Sequence, residues 1–335
     1  MQAARLVAVG EMHVLELERP EPGPNDLLVR VEACGLCGSD RHMFRGEYPT
    51  ALPVTLGHEF AGIVEQAGEA ANGFPLGARI TGDPNISCGQ CAQCRAGRPN
   101  LCARLTPIGV FRDGGFADYV IVPQQQAVQL PETLNPLHGA FCEPVGCCLH
   151  ALDVASIEPG ASVVIFGGGV IGLLMVQLAK LAGAGAVILS TRQQPRRELA
   201  ERLGATNTVN AAADPVAEIH RLLPNGVDVA IECAGVAETF SQSIAAVRRG
   251  GTVVIFGVMP HGELVRVSPY DLLVNELRLE SAWLNPGTHR RAAELVASGA
   301  LDLDALITRT IPLQDLPVVL ATPPTLGEVK TIVVP

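Results

Sequence analysis

The sequence predicts an α/β chain: a doubly wound parallel sheet joined to a β-rich region that carries clustered cysteines. Three observations predict it. From about Glu158 onward, strand-like apolar runs alternate with helix-like stretches. A run of three glycines, Gly167-Gly168-Gly169, stands between one such strand and one such helix. Before Glu158 the chain shows short β-branched runs, turn signals and a four-cysteine loop.

Totals bound the reading. A chain of 335 residues has room for about two domains at ~100–200 residues each. Net charge is −10 with no basic block, which argues against a nucleic-acid or membrane partner. The apolar run Val163 to Val176 spans 14 residues and is broken by glycines. A membrane helix needs ~20. Met1 to Gly10 lacks the pattern of a signal peptide. The ten cysteines are grouped at short spacings, which favours metal over disulfides and a reducing, cytoplasmic setting.

Residues 1–150 read as β-rich, with strands at Leu27–Val31 and Phe60–Val64 and turns at Pro22–Asn25 and Asn72-Gly73. Within a lobe at about 84–104, Cys88, Cys91, Cys94 and Cys102 form C-x2-C-x2-C-x7-C. Four thiolates complete a tetrahedral Zn²⁺ shell and leave no open position, the mark of a structural site. Local disulfides or an iron–sulfur cluster are the alternatives. Further donor residues are dispersed: Cys37 in Cys34-Gly35-Leu36-Cys37-Gly38-Ser39-Asp40, His58 and Glu59 in Leu56–Phe60, and Glu143 in Phe141–Pro144. Spacing alone does not join them. His58 also reads as a core histidine, and Cys34 and Cys37 as small buried residues.

Val163–Phe166 then forms a strand, followed by apolar residues at helical spacing through Val170, Ile171, Leu174, Leu178 and Leu181. Gly167, Gly169 and Gly172 fit G-x-G-x-x-G between them. The first permits the tight turn, the second admits a pyrophosphate, and the third lets helix and strand pack closely. Amide groups at the helix start meet the phosphate charge, so a dinucleotide is expected here. Strands follow at Ala186–Leu189, Val227–Ile231, Thr252–Phe256 and near Leu277–Leu279, with helices near Arg196–Leu203 and Glu238–Val247. A helix at Arg290–Ser298 and strand-like runs up to Val334 close the chain. The usual NAD fingerprint places an acidic residue some 20 positions past the glycines. No Asp or Glu follows that strand before Glu198, whereas Arg192, Arg196 and Arg197 do. An adjacent guanidinium suits a 2′-phosphate, which a carboxylate would repel, and NADP is therefore favoured over NAD. The alternative is that these arginines form a solvated helix face.

The motifs together resemble the zinc-dependent medium-chain dehydrogenase/reductases, in the branch that includes sorbitol and other polyol dehydrogenases and threonine dehydrogenase. The resemblance rests on Cys37-Gly38-Ser39-Asp40, Gly57-His58-Glu59, the cysteine lobe, Gly114-Gly115-Phe116-Ala117, Glu143-Pro144, the glycine turn and Ile231-Glu232-Cys233-Ala234-Gly235. It implies a GroES-like β-rich catalytic domain, residues 1–150, interrupted by a Rossmann domain, 151–285, with 286–335 returning to the first. It implies Cys37, His58, Glu59 and Glu143 as the catalytic zinc set, with a sulfur from Cys142, Cys147 or Cys148 as an alternative to Glu143. It also implies a proton relay from Ser39 through the nicotinamide ribose to His42, and Thr191 in the place of the acidic residue. On their own, Ser39 reads equally as a helix N-cap and His42 as a surface histidine. Met43, Phe44, Phe111, Trp283 and Leu284 read either as pocket lining or as core. The expected activity is NAD(P)-linked interconversion of a secondary alcohol, polyol or sugar-derived, with a ketone, in a homodimer or homotetramer. A threonine-type or general secondary alcohol dehydrogenase is the alternative, and a non-catalytic dinucleotide-binding sensor is the alternative of another class.

Overall fold

A six-stranded parallel sheet occupies the middle of the chain. In the computed structural model, which describes residues 1–335, its strands lie in the order Asn207–Asn210, Ala186–Thr191, Ser162–Phe166, Val227–Glu232, Val247–Ile255, Arg278–Ser281. Every neighbouring pair is parallel. Counted along the sequence this is the 3-2-1-4-5-6 order of a Rossmann sheet, whose switch point falls beside the first strand. Val163 to Phe166 are wholly buried, which is why that strand is continuously apolar and not alternating.

The elements differ from the sequence expectation in a few places. Helix Ala237–Ala246 gives way at once to the strand Val247–Ile255, so extended backbone begins before Thr252. Helix Pro215–Leu222 was not foreseen, although Asp214 caps it by accepting from the Ala217 amide at 3.0 Å and Pro215 occupies the first turn. Helix Cys142–Ala155 lies where the β-rich reading extended. Its cysteines, Pro144 and Gly146 are weak helix formers. Proline is tolerated within the first turn, where amides lack helical partners anyway.

Contacts divide the chain into two units, Met1–Gly146 with Leu284–Pro335, and Cys147–Trp283. The first is built on a seven-stranded sheet in the order Ile307–Pro312, Lys330–Val334, Asp26–Gly35, Glu59–Ala67, Arg79–Gly82, Ala127–Gln129, with Tyr119–Pro123 also paired to Asp26–Gly35. Lys330–Val334 runs antiparallel to Asp26–Gly35, placing Ile332 opposite Gly35 and Val333 opposite Cys34. A smaller sheet, Glu11–Glu16, Gln2–Ala8 and Val54–Thr55, and the buried Phe60 and Phe116 complete this core. Buried polar ties hold the Leu284–Pro335 segment within the unit. Asn85 Nδ2 donates to Asn285 Oδ1 at 2.7 Å, Thr288 Oγ1 donates to the Gly146 carbonyl at 2.7 Å, and Thr81 Oγ1 lies 3.3 Å from His289 Nε2. Burial raises the Asp83 carboxyl in this cluster to about 6 and lowers His289 to about 4. No helix is long and apolar enough to cross a membrane.

Candidate metal centres and dinucleotide turn

Residues 37, 58 and 59 come together because two strand ends meet. Asp26–Gly35 and Glu59–Ala67 pair antiparallel with Gly35 opposite Glu59, so Cys37 just past the first and His58 just before the second are neighbours. One donor atom from each of Cys37, His58 and Glu59 lies within 4.8 Å of the other two. Gly57 shapes the approach to His58. Its φ is +95°, and an added Cβ would lie 2.7 Å from the Phe116 amide. Glu143 lies in the first turn of helix Cys142–Ala155 and is 7 % exposed, but its carboxylate is not among the converged donors.

Asp40 organises this cluster from below. It is fully buried, accepts from the Cys37 amide at 2.8 Å through Oδ2, and turns Oδ1 to 3.6 Å from His58 Nδ1. Burial works against a charge on His58, yet the Asp40 carboxylate outweighs it and holds the imidazole well above its usual value. A carboxylate behind the remote nitrogen is the arrangement that fixes a metal-ligating imidazole, and leaves Nε2 for the metal. Ser39 Oγ is 3.4 Å from that Nε2. Cys37, not Ser39, is the N-cap of helix Gly38–Phe44, so capping does not occupy the Ser39 hydroxyl. On the same helix His42 Nδ1 is 2.6 Å from Glu47 Oε2, and Arg45 grips Glu47 at 2.8 and 2.9 Å. Those bonds from Arg45 and His42 lower the Glu47 carboxyl to about 2. Met43 and Phe44 belong to the core.

Sequence reasoning missed Lys330. Its side chain is wholly buried, and Nζ bonds Glu59 Oε2 and the Leu36 carbonyl, the latter at 3.2 Å. Burial opposes its charge, but attraction to Glu59 raises its pKa all the same. The available signal was a lysine opening a short strand that ends in the apolar run Ile332–Val334.

The four lobe cysteines also converge. All four sulfurs lie within 4.8 Å of one another, with Cys91 to Cys94 at 3.5 Å and Cys88 to Cys94 at 4.0 Å. Tetrahedral Zn–S bonds of about 2.3 Å require sulfurs roughly 3.8 Å apart, so the donor set fits the ion. The Cys88 and Arg104 amides each donate to Cys102 Sγ at 3.3 Å, and amides of Gln90 and Cys91 lower the Cys88 thiol to about 5. Thiolate, the form that binds metal, is favoured at Cys88, whereas burial and the bonds with Cys91 and Cys102 raise the Cys94 thiol to about 11.

In the other unit, the strand Ser162–Phe166 turns through Gly167–Gly169 into helix Val170–Leu181, with Gly169 as N-cap. A Cβ on Gly172 would collide with the Gly167 carbonyl, so only glycine permits this close crossing. The turn rests on the loop after Val227–Glu232, where buried Glu232 accepts from the amides of Ala234 and Gly235 at 2.8 and 2.9 Å and from Thr239 Oγ1 at 2.7 Å. Val170 and Ile171 are half-buried at the helix start, Thr191 is buried at the end of Ala186–Thr191, and Arg192 is exposed. Arg197 is turned toward the backbone, donating from Nη1 to the carbonyls of Thr191 and Arg192, both at 2.9 Å.

A Rossmann sheet with this turn, in a chain whose other, β-rich unit holds a Cys/His/Glu donor set and a four-thiol lobe, defines a metal-dependent dinucleotide oxidoreductase. Residues 23–132 match the alcohol dehydrogenase GroES-like domain, and residues 170–298 match the zinc-binding dehydrogenase family. The chain is 32% identical to sorbitol dehydrogenase of Bacillus subtilis (strain 168), over 92% of this chain and 89% of that one. It is 30% identical to L-threonine 3-dehydrogenase of Idiomarina loihiensis, over 93% of each. A zinc-binding dehydrogenase from Sinorhizobium meliloti 1021, solved bound to NADP, superposes with a TM-score of 0.98 at 57% identity, covering 100% of this chain and 99% of that one. The chain belongs to the zinc-dependent medium-chain dehydrogenase/reductase family.

Proposed function

We propose that this protein interconverts a secondary alcohol, of polyol or sugar-derived type, with its ketone, using NADP in preference to NAD. The observation that carries the reading is the convergence of Cys37, His58 and Glu59 in one unit of a chain whose other unit bears the dinucleotide turn. Three protein ligands leave a position for substrate, whereas Cys88, Cys91, Cys94 and Cys102 close their shell. The first set is thus the catalytic zinc site and the second the structural one. Glu143 is held as a further carboxylate of the catalytic set, without a place among the converged donors. When bound, zinc polarises a substrate hydroxyl and the nicotinamide accepts the hydride. The chain's own residues do the rest. Asp40 orients His58, Ser39 Oγ would accept the hydroxyl proton as it gives up its own, and His42, which the nicotinamide ribose would link to Ser39, would release a proton to solvent. Absence of an acid after Ala186–Thr191, the exposed Arg192 and the NADP-bound relative support NADP. The family's usual assembly supports a homodimer or homotetramer, and the reducing-compartment cysteine pattern supports a cytoplasmic setting.

The test is NADP⁺ and NAD⁺ reduction across polyols, simple secondary alcohols and threonine, with and without a chelator. Chelator-sensitive reduction of NADP⁺ by a polyol supports the reading. Preferential oxidation of threonine would move the protein to the threonine-type activity, and no turnover with zinc present would favour a dinucleotide-binding sensor.

A further inference from the structure

Thr191 and Arg192 at the end of the strand Ala186–Thr191, and Arg197 on the helix that follows, lie in the stretch where a Rossmann fold reads the ribose of a dinucleotide, and the structure gives them unequal work. Thr191 is 7 % exposed, and its side chain is turned onto the glycine turn: a Cβ on Gly168 would lie 2.6 Å from its hydroxyl. Arg192, next along, is exposed. Arg197 is half-buried on helix Gln194–Arg202 and spends Nη1 on the Thr191 and Arg192 carbonyls. The Thr191 carbonyl also receives the Ala211 amide, at 3.4 Å. A guanidinium committed to two consecutive carbonyls fixes the peptide between them, and with it the direction in which residue 192 leaves the strand. That peptide would otherwise have to be ordered when cofactor binds, at a cost in affinity.

We propose that Arg197 is a positioning residue for NADP selection: it clamps the Thr191–Arg192 peptide so that Arg192, and not Arg197, meets the 2′-phosphate. This rests on the NADP reading above. It reassigns Arg197 from phosphate ligand to the support of one. The consequence is a dependence of Arg197 on Arg192 that two independent ligands would not show.

Calorimetric titration with 2′,5′-ADP and with 5′-AMP tests this without turnover, on the whole chain and on R192A, R197A, R197K and R192A/R197A. R192A is expected to weaken 2′,5′-ADP by about tenfold or more, the scale of a lost charge-assisted bond, and to leave 5′-AMP within about twofold. R197A is expected to weaken 2′,5′-ADP about fivefold in the native background, the scale of one lost hydrogen bond, but less than about twofold beside R192A. R197K, which can still donate to a carbonyl, should recover most of the loss. Equal losses for R197A in both backgrounds would make Arg197 an independent ligand and overturn the proposal, as would no loss in either. If R192A leaves 2′,5′-ADP unaffected, or if 5′-AMP binds native protein as tightly, the NADP reading itself fails, and that result is separate from the behaviour of Arg197.

Discussion

Replacing Lys330 with methionine isolates the buried charge balance beneath the Cys37, His58 and Glu59 donor set. Lys330 and Glu59 are 0 % and 2 % exposed at their side chains and bond each other directly, while Lys330 also serves the Leu36 carbonyl. K330M keeps most of the volume and removes the cation, leaving Glu59 without its partner. Removing one member of a buried pair costs about 3–5 kcal/mol, far more than a surface pair at ~0–1 kcal/mol. The loss should appear in chelated protein as a lower urea midpoint by circular dichroism, with an unchanged slope. Zinc should shrink it, because a bound cation compensates Glu59 in place of Lys330. The double variant E59Q/K330M, which carries neither charge, should recover most of the chelated stability. A cost under about 1 kcal/mol for K330M, or a double variant no more stable than the single one, would refute the reasoning.

Three further outcomes follow from the same geometry. D83N keeps the bonds Asp83 makes to the Asn85 amide and Asn285 but cannot ionise. With its pKa raised from 3.8 to about 6, Asp83 favours the fold below pH 3.8 and loses that contribution as pH rises through 6. D83N should therefore raise the melting temperature at pH 7.5 and leave it unchanged near pH 4, and a pH-independent shift would contradict the burial argument. H42A should flatten or shift the pH profile of turnover, and an unchanged profile would remove His42 from the relay. G172A should abolish cofactor binding in titration while leaving zinc content intact, since its Cβ would strike the Gly167 carbonyl. Native cofactor affinity in G172A would show that the turn can relax.

Much of the fold class and the family were legible because their signals are local. The glycine turn sits between one strand and one helix, and the cysteine lobe spans fifteen residues, so neither needs tertiary structure to be seen. What was hidden depends on pairing between distant segments. Lys330 has no role legible in the sequence until Lys330–Val334 is laid against Asp26–Gly35, which carries it under Glu59. Asp40 was visible within its motif, but its placement behind His58 follows from how helix Gly38–Phe44 meets the strand Glu59–Ala67. Arg197 was legible as a basic residue near the cofactor, yet sequence could not say that its donor faces inward to two carbonyls. Helix Cys142–Ala155 was hidden by its composition, since tertiary burial overrides the weak propensity of its first turn.

The central claim is that Cys37, His58 and Glu59 hold a catalytic zinc separate from the one held by Cys88, Cys91, Cys94 and Cys102. Metal content measured by mass spectrometry on native protein, on C37A/H58A and on C91A/C94A tests it most directly. The account predicts that native protein holds one zinc per donor set, that C37A/H58A loses one and all turnover but stays folded, and that C91A/C94A loses the other together with thermal stability. Full zinc content in C37A/H58A, or full turnover without its zinc, would contradict the account.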